Sequence, residues 1–248
     1  MSKTPSTPPP TALVVGASSG MGAELVRKLA DRGYRVAALA RRQAALDEVA
    51  AGRESVLTWT HDVTDSGSVP EQFEACTAAL GGCDLFIYAA GVMHTIGPDE
   101  YDTQKDFDQL AVNLAGCVAW GNAVAPYMQS KRSGVLVGIS SIAGDRGRKP
   151  FPAYHAAKAA VSTYLESLRN RLAGHGVHVC TIKPGTVHTP MTAGMDDLKW
   201  PITAEAAADG ILEAIDKRKN TAYVPLRWRF VSLVIQAIPS FVFRRLNF

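Results

Sequence analysis

Short apolar runs alternate with longer stretches of helical spacing along almost the whole chain. The runs are Ala12–Val15, Val36–Ala40, Val56–Trp59, Leu85–Ala89, Val135–Ile139, Val177–Ile182 and Ala222–Val224, and Met21–Arg32 and Ala153–Ala173 are examples of the stretches between them. No hairpin signal joins the runs, so successive strands need crossover helices, and the pattern predicts an α/β chain with a parallel sheet covered on both faces. Such crossovers are right-handed, which makes the sheet doubly wound. Ligands of these sheets bind beyond the carboxyl ends of the strands, near the point where strand order reverses. That rule picks out residues 16–22, 41–42, 62–63, 90–91, 140–141 and 184–189 before any motif is read. A chain of 248 residues can bury roughly three quarters of its unfolded surface in one domain. The expected organisation is a disordered Pro/Ser/Thr-rich lead over 1–11, a single doubly wound domain over 12–225, and a C-terminal segment of the same domain over 226–248.

The first run ends in GASSGMG, residues 16–22. Gly16 permits a tight turn, Gly20 lets a diphosphate approach the backbone, and Gly22 lets the new helix pack on the strand. The helix that opens near Met21 aims its N-terminal N–H groups at the phosphates, and Ser18 and Ser19 add hydroxyl donors. A glycine-rich turn with no ligand has the same composition. The second run ends ALARR. A site selective for NAD places an acid here for the ribose 2′-hydroxyl. Ala40 occupies that place and Arg41 and Arg42 follow, a pair suited to a 2′-phosphate, so NADP is favoured over NAD. The alternative is a pair of solvated surface charges. Asp62, after the third run, has the chemistry to accept from an adenine amino group, or belongs to a helix N-terminus capped by Asp65 or Ser66.

Tyr154 and Lys158 stand four apart in YHAAK. On a helix this spacing puts the phenol and the ammonium on one face. A nearby cation lowers the phenol pKa from about 10 toward the range useful for acid/base work. Tyr154 would then exchange a proton with a carbonyl or alcohol oxygen while hydride moves to or from a nicotinamide.

Taken in order, GASSGMG, DV at 62–63, AAG at 89–91, VN at 112–113, ISS at 139–141, YHAAK and PGTVHTP from Pro184 resemble the short-chain dehydrogenase/reductase family over roughly Thr11 to Val224. The resemblance implies a Rossmann-type doubly wound sheet of seven strands, one for each apolar run, and a homodimer or homotetramer. It implies Tyr154 as general acid/base and Lys158 as the residue that holds the cofactor ribose and depresses the tyrosine pKa. Ser141 would hydrogen-bond the substrate oxygen, ahead of Ser140, and Asn113 would anchor a water of the proton relay. Val63, Ala90 and Gly91 fall at cofactor-lining positions. After Pro184 and Gly185, Val187 would meet the carboxamide through its backbone, and Thr189 would donate to the carboxamide or diphosphate. Two positions depart from the family pattern: Val15 replaces a threonine, and Ala89 replaces the second asparagine of NNAG. Those polar groups brace the sheet, so a repacked support is expected.

Substrate residues are expected in the GDRGRKPFP loop, where Arg146, Arg148 and Lys149 suit an anionic group, in the lid-like segment MTAGMDDLKWPIT, and in the C-terminal segment. That last segment, PLRWRFVSLVIQAIPSFVFRRLNF, has no acid, and its uncharged run is broken by Pro239. It is too short for a transmembrane helix, and suits either an interfacial contact with anionic lipid or a helix docked on the cleft or on a partner subunit. Paired with the basic loop, it resembles reductases of lipid-linked keto sugars, which would place a polyprenyl-phosphate substrate at the membrane face.

The net charge of +3 and scattered basic residues argue against nucleic acid as the partner. Cys76, Cys83, Cys117 and Cys180 have no metal-ligand spacing, and no metal site is expected. With no apolar leader at the start, the expected location is cytoplasmic, with peripheral contact at the inner face of the membrane as the extension of the lipid reading.

Overall fold

The computed structural model describes residues 8–97, 99–195 and 198–246. Its main sheet is built from β1 (Thr11–Val15), β2 (Arg35–Ala40), β3 (Val56–Thr60), β4 (Leu85–Tyr88), β5 (Gly134–Ile139), β6 (Val177–Pro184) and β9 (Thr221–Val224). The order across the sheet is β3-β2-β1-β4-β5-β6-β9, with every pairing parallel. This is the doubly wound Rossmann-type sheet the alternation predicts, with strand order reversing between β1 and β4.

Period-two alternation separates the two faces. In β1, Ala12 and Val14 enter one core while Leu13 and Val15 enter the other; in β4, Leu85 and Ile87 part from Phe86 and Tyr88 in the same way. Helices α1 (Gly20–Asp31) and α7 (Ala204–Asp216) cover the first face. Helices α3 (Val69–Leu80), α5 (Gly116–Lys131) and α6 (Pro152–Leu172) cover the second. The remaining helices of the main body are α2 (Gln43–Ala50) and α4 (Thr103–Leu110).

The seven strands, α1 and α6 fall within one or two residues of their expected limits. Thr11 belongs to β1, pairing with Arg35 and buried, so the expected lead loses its last residue to the sheet; its residues 1–7 lie outside the described residues. The expected lid forms a small feature that the sequence pattern does not announce. β7 (Val187–His188) pairs in parallel with β8 (Ile202–Thr203), clipping together the ends of the segment between them. Asp196 and Asp197 of that segment lie outside the described residues.

The C-terminal segment folds into α8 (Arg227–Ala237) and α9 (Ser240–Phe243), separated at Pro239, because proline cannot continue the first helix. Trp228 and Ser232 are buried, while Phe230, Leu233, Val234 and Phe241 are exposed. Among the described residues, no helix is long and apolar enough to cross a membrane.

Candidate active site

The expected site residues lie at the carboxyl edge of the sheet. The glycine loop leaves β1 with Gly16 at a φ of 88°, a left-handed conformation that glycine adopts without strain. A Cβ at Gly16 would overlap the backbone of Ala89 and Ala90, and one at Gly22 would overlap the Gly16 carbonyl. The loop is therefore pressed against the end of β4 at the switch point. The N–H groups of Gly16 and Ala17 both donate to the Leu39 carbonyl, at 2.8 and 3.0 Å. Ser19 takes the N-cap position of α1 without a side-chain capping bond. A Cβ on Gly20 would come 3.2 Å from the Thr189 methyl, which brings the Pro184–Thr189 segment to the mouth of the same loop. Met21 packs on the core.

Arg42 donates to the Ser18 hydroxyl at 3.2 Å, and Arg41 lies 3.8 Å from the Asp62 carboxylate. The other Asp62 oxygen accepts from the Thr64 N–H and hydroxyl, at 3.0 and 2.9 Å. Partial burial opposes ionisation of Asp62, but the Thr64 hydrogen bonds and the neighbouring Arg41 outweigh it and hold the carboxyl below its ordinary value. The next helix does not start at Asp65 or Ser66. Its N-cap position is Ser68, because Asp62 closes a local turn on Thr64 and Pro70 sets the first helical turn further along. Val63 is buried in the core.

The end of β4 meets a π-helical turn, Ala111–Ala115, between α4 and α5. Asn113 sits in this turn, buried, and both ends of its amide hold Val92: Nδ2 donates to the Val92 carbonyl at 2.8 Å and Oδ1 accepts the Val92 N–H at 3.2 Å. The Tyr88 hydroxyl donates to the Val112 carbonyl at 2.6 Å. This is the repacked support expected where NNAG reads YAAG. Gly91 is tight against the cluster, since a Cβ there would stand 2.9 Å from Asn113 Oδ1 and 3.6 Å from Lys158 Nζ.

Helix α6 delivers Tyr154 and Lys158 on one face, with the Lys158 ammonium 5.6 Å from the Tyr154 ring centroid. Lys158 is buried and donates to the Ile139 carbonyl at 3.0 Å. Ser140 and Ser141 part ways. The Ser140 hydroxyl is tied to the Lys158 carbonyl and to Ser162, each at 2.8 Å, which makes it a fastener between β5 and α6. Ser141 opens a short 3₁₀ turn, Ile142–Asp145, and its hydroxyl faces the Tyr154 phenol.

Residues 10–199 match the family model for short chain dehydrogenases. The chain is a short-chain dehydrogenase/reductase. It is 42% identical over 187 residues to an uncharacterized oxidoreductase of Myxococcus xanthus, covering 74% of each chain. It is 32% identical over 212 residues to one of Staphylococcus aureus, covering 84% of this chain and 92% of the relative. Among solved structures, a short chain dehydrogenase from Burkholderia cenocepacia in complex with NADP superposes with a TM-score of 0.84 at 24% identity, covering 97% of this chain and 98% of that one. A variant of actinorhodin polyketide ketoreductase with NADPH gives 0.78 at 24% identity, covering 87% and 94%.

As a short-chain dehydrogenase/reductase, the chain is an NAD(P)-dependent oxidoreductase, and the cleft has the shape such a cofactor requires. The loop at Gly16 has no room for a side chain, the α1 N-terminus has no side-chain cap, and Asn113, Lys158 and Gly91 meet in one place. One electrostatic expectation is corrected. Burial pushes the Tyr154 phenol above its ordinary value, and the groups that pull it back are the Ser141 hydroxyl and the Arg148 guanidinium, not Lys158. Burial pushes the Lys158 ammonium itself down to about 8, and it donates to the Ile139 carbonyl.

The sequence reading missed the contacts of Arg148, Asp145 and Trp228. Arg148 Nε donates to His155 Nε2 at 3.1 Å. Asp145 joins Lys183, the Tyr223 hydroxyl (3.0 Å) and the Ser232 hydroxyl (2.5 Å). Trp228 lies so close over Gly185 that any side chain there would collide with its indole. The only trace of these in the sequence was the clustering of charge after Ser141 and the tryptophan in the tail.

Proposed function

We propose that this dehydrogenase/reductase interconverts a ketone or aldehyde and an alcohol with NADP, Tyr154 serving as the proton donor and acceptor. The observation that carries the reading is the convergence of Tyr154, Ser141, Lys158 and Asn113 at the carboxyl edge of β4 and β5, beside a loop only glycine can build. The nicotinamide, when bound, supplies or takes the hydride. Ser141 orients the substrate oxygen toward the Tyr154 phenol and supports the ionised phenol. Lys158 holds the ribose hydroxyls and, once a ligand closes over it, gains polar partners that favour its charged form. Asn113 keeps Val92 in place and so shapes the floor on which a relay water rests. Tyr154→Phe removes the exchangeable proton without altering the ring. Turnover is expected to fall by about 10²–10⁴ while NADPH affinity is retained; unchanged turnover of every accepted carbonyl would reject the role.

The preference for NADP rests on Ala40 in place of an acid and on the two guanidiniums beside Ser18 and Asp62. Arg41→Ala is expected to weaken NADPH far more than NADH in fluorescence titrations, and equal losses refute the 2′-phosphate contact. The remaining binding contacts follow the cleft: Gly16, Ser18, Ser19, Gly20, Met21 and Gly22 at the diphosphate, Asp62 and Val63 at the adenine, Ala90 and Gly91 at the ribose, and Pro184, Gly185, Val187 and Thr189 at the carboxamide. A homodimer or homotetramer belongs to the same reading, and light scattering reads the mass directly.

A lipid-facing tail is the second reading, and the exposed face of α8 and α9 favours it. Phe230, Leu233, Val234 and Phe241 stand in solvent in a segment whose charged residues are all arginine. A lipid-linked substrate would follow from that contact. Flotation with anionic liposomes should carry the full chain and leave behind one truncated before Leu226; equal soluble fractions remove the idea.

A further inference from the structure

The loop after the Ser141 turn carries three cations, and the fold treats them differently. Arg146 is used structurally. Its Nη1 donates to the carbonyls of Ile235, Gln236 and Ile238 at the end of α8, and its guanidinium lies 4.0 Å from the Phe243 ring centroid. Arg148 has no comparable partner. Its Nε donates to His155 Nε2, and its two terminal nitrogens have no hydrogen-bond partner among the described residues. Burial, reinforced by the Arg148 charge, pushes the His155 imidazole down to about 4, so this acceptor is neutral and does not offset the guanidinium. No carboxylate among the described residues lies within ion-pair distance of Arg148. A half-buried guanidinium without a counter-charge is costly, and the cost is relieved by an anion that arrives from outside.

The surroundings say where that anion would sit. A cavity of about 310 Å³ is lined by Arg146, Arg148, Lys149 and Arg244, with Phe243 and Leu246 as an apolar wall. Arg148 borders this cavity and is also close enough to Tyr154 to favour its phenolate. The Nε–His155 bond fixes the guanidinium while leaving its terminal N–H groups for a fork-like grip on an oxyanion.

We infer that this cavity is the subsite for an anionic substituent, a phosphate or carboxylate, on the carbonyl or alcohol substrate, with Arg148 as its specificity-determining residue. The inference rests on Tyr154 being the acid/base, since that is what makes the neighbouring cavity part of the substrate site. Arg146 is committed to the end of α8, and Arg244 of the tail joins Arg148 at the cavity.

The test is a residue-specific titration of the full chain loaded with NADPH, which saturates any 2′-phosphate site. The Nε–H resonance of Arg148, assigned by its loss in Arg148→Gln, is followed as methyl phosphate or acetate is added. Vesicles of phosphatidylcholine with and without phosphatidic acid form a second arm. A saturable shift with the soluble anions assigns a soluble substrate that carries a phosphate or carboxylate; a shift only with the phosphatidic acid vesicles assigns a lipid headgroup; either supports the subsite. A resonance that moves no more than that of Arg53, which pairs with Asp31 away from the cleft, overturns it. Arg148→Lys keeps the charge and loses the fork, and should weaken methyl phosphate by about tenfold, the worth of one charge-assisted hydrogen bond. Loading with NADPH is measured beforehand by its fluorescence. A chain that fails to load contradicts the functional reading, while the Arg148 resonance in the unloaded chain still reports on the subsite.

Discussion

The glycine loop after β1 and the turn after β5 face the same cleft and are built in opposite ways. The loop works by leaving side chains out: Gly16 and Gly22 bring backbone against backbone, and Gly16 and Gly20 both take the left-handed φ, at 88° and 55°. The turn works by side-chain connection. Asp145 gathers Lys183 from β6, Tyr223 from β9 and Ser232 from α8, while Arg146 closes the end of α8. Through these contacts the tail becomes a buttress of the turn that begins at Ser141. A phosphate-binding edge depends on close approach, which any side chain spoils. A substrate pocket depends on a shape that can differ between relatives, and side chains from distant segments supply it.

Breaking the first region should have the largest effect. Gly16→Val forces a β-branched residue to a φ of 88° and drives its Cβ into Ala90. The backbone strain alone costs about 1–3 kcal/mol, and the overlap adds to it, so both the denaturation midpoint and NADPH binding should fall together. A variant that binds NADPH normally would show that the loop tolerates a side chain and would erase the contrast.

The buttress should fail differently. Asp145→Asn preserves size but leaves Lys183, itself largely buried, without its counter-charge. Breaking such a pair costs about 3 kcal/mol. Hydrogen exchange should quicken across Arg227–Ala237 with little change in NADPH affinity. If the loss of protection instead spreads evenly over the sheet, the tail is no separate buttress.

A third substitution concerns Lys158, whose ammonium donates to the Ile139 carbonyl at the end of β5. Burial lowers the Lys158 pKa from 10.5 to about 8. Between those values the unfolded chain binds more protons than the folded chain, so this residue's contribution to stability rises with pH across that window. Below about pH 8 the full penalty applies, about 3 kcal/mol. Lys158→Met should therefore be inactive yet more stable than the parent near neutral pH. The gain is reduced by about 1 kcal/mol for the lost bond to the Ile139 carbonyl, and it should shrink as pH approaches 10.5. Urea denaturation of both proteins across this range reads the difference. A constant offset would show that the ammonium carries no burial penalty.

The amphipathic spacing and the motifs were legible because each acts over a few residues. Four-residue spacing put Tyr154 and Lys158 on one helix face whatever surrounded them, and the glycines of the first loop have no role a side chain could share. The strength of the Tyr154–Lys158 coupling was not legible, since it depends on how far Lys158 is buried and on the carbonyl it meets. The choice of Ser141 over Ser140 is explained by Ser162, twenty-two positions away along the chain. The three cations of the loop looked alike in the sequence; α8 and His155 made one structural and left another open.

The sequence by itself determined the doubly wound sheet, the motifs gathered at its carboxyl edge and the placing of Tyr154 and Lys158 on one helix face, because periodicity and short spacings are local properties of a chain. Only the tertiary structure decided how far burial shifts those groups, that Arg148 meets a neutral imidazole and no carboxylate among the described residues, and that the tail leans on Gly185 through Trp228. Those outcomes depend on segments far apart in the chain meeting at one point, where the local dielectric and the available partners are set by packing.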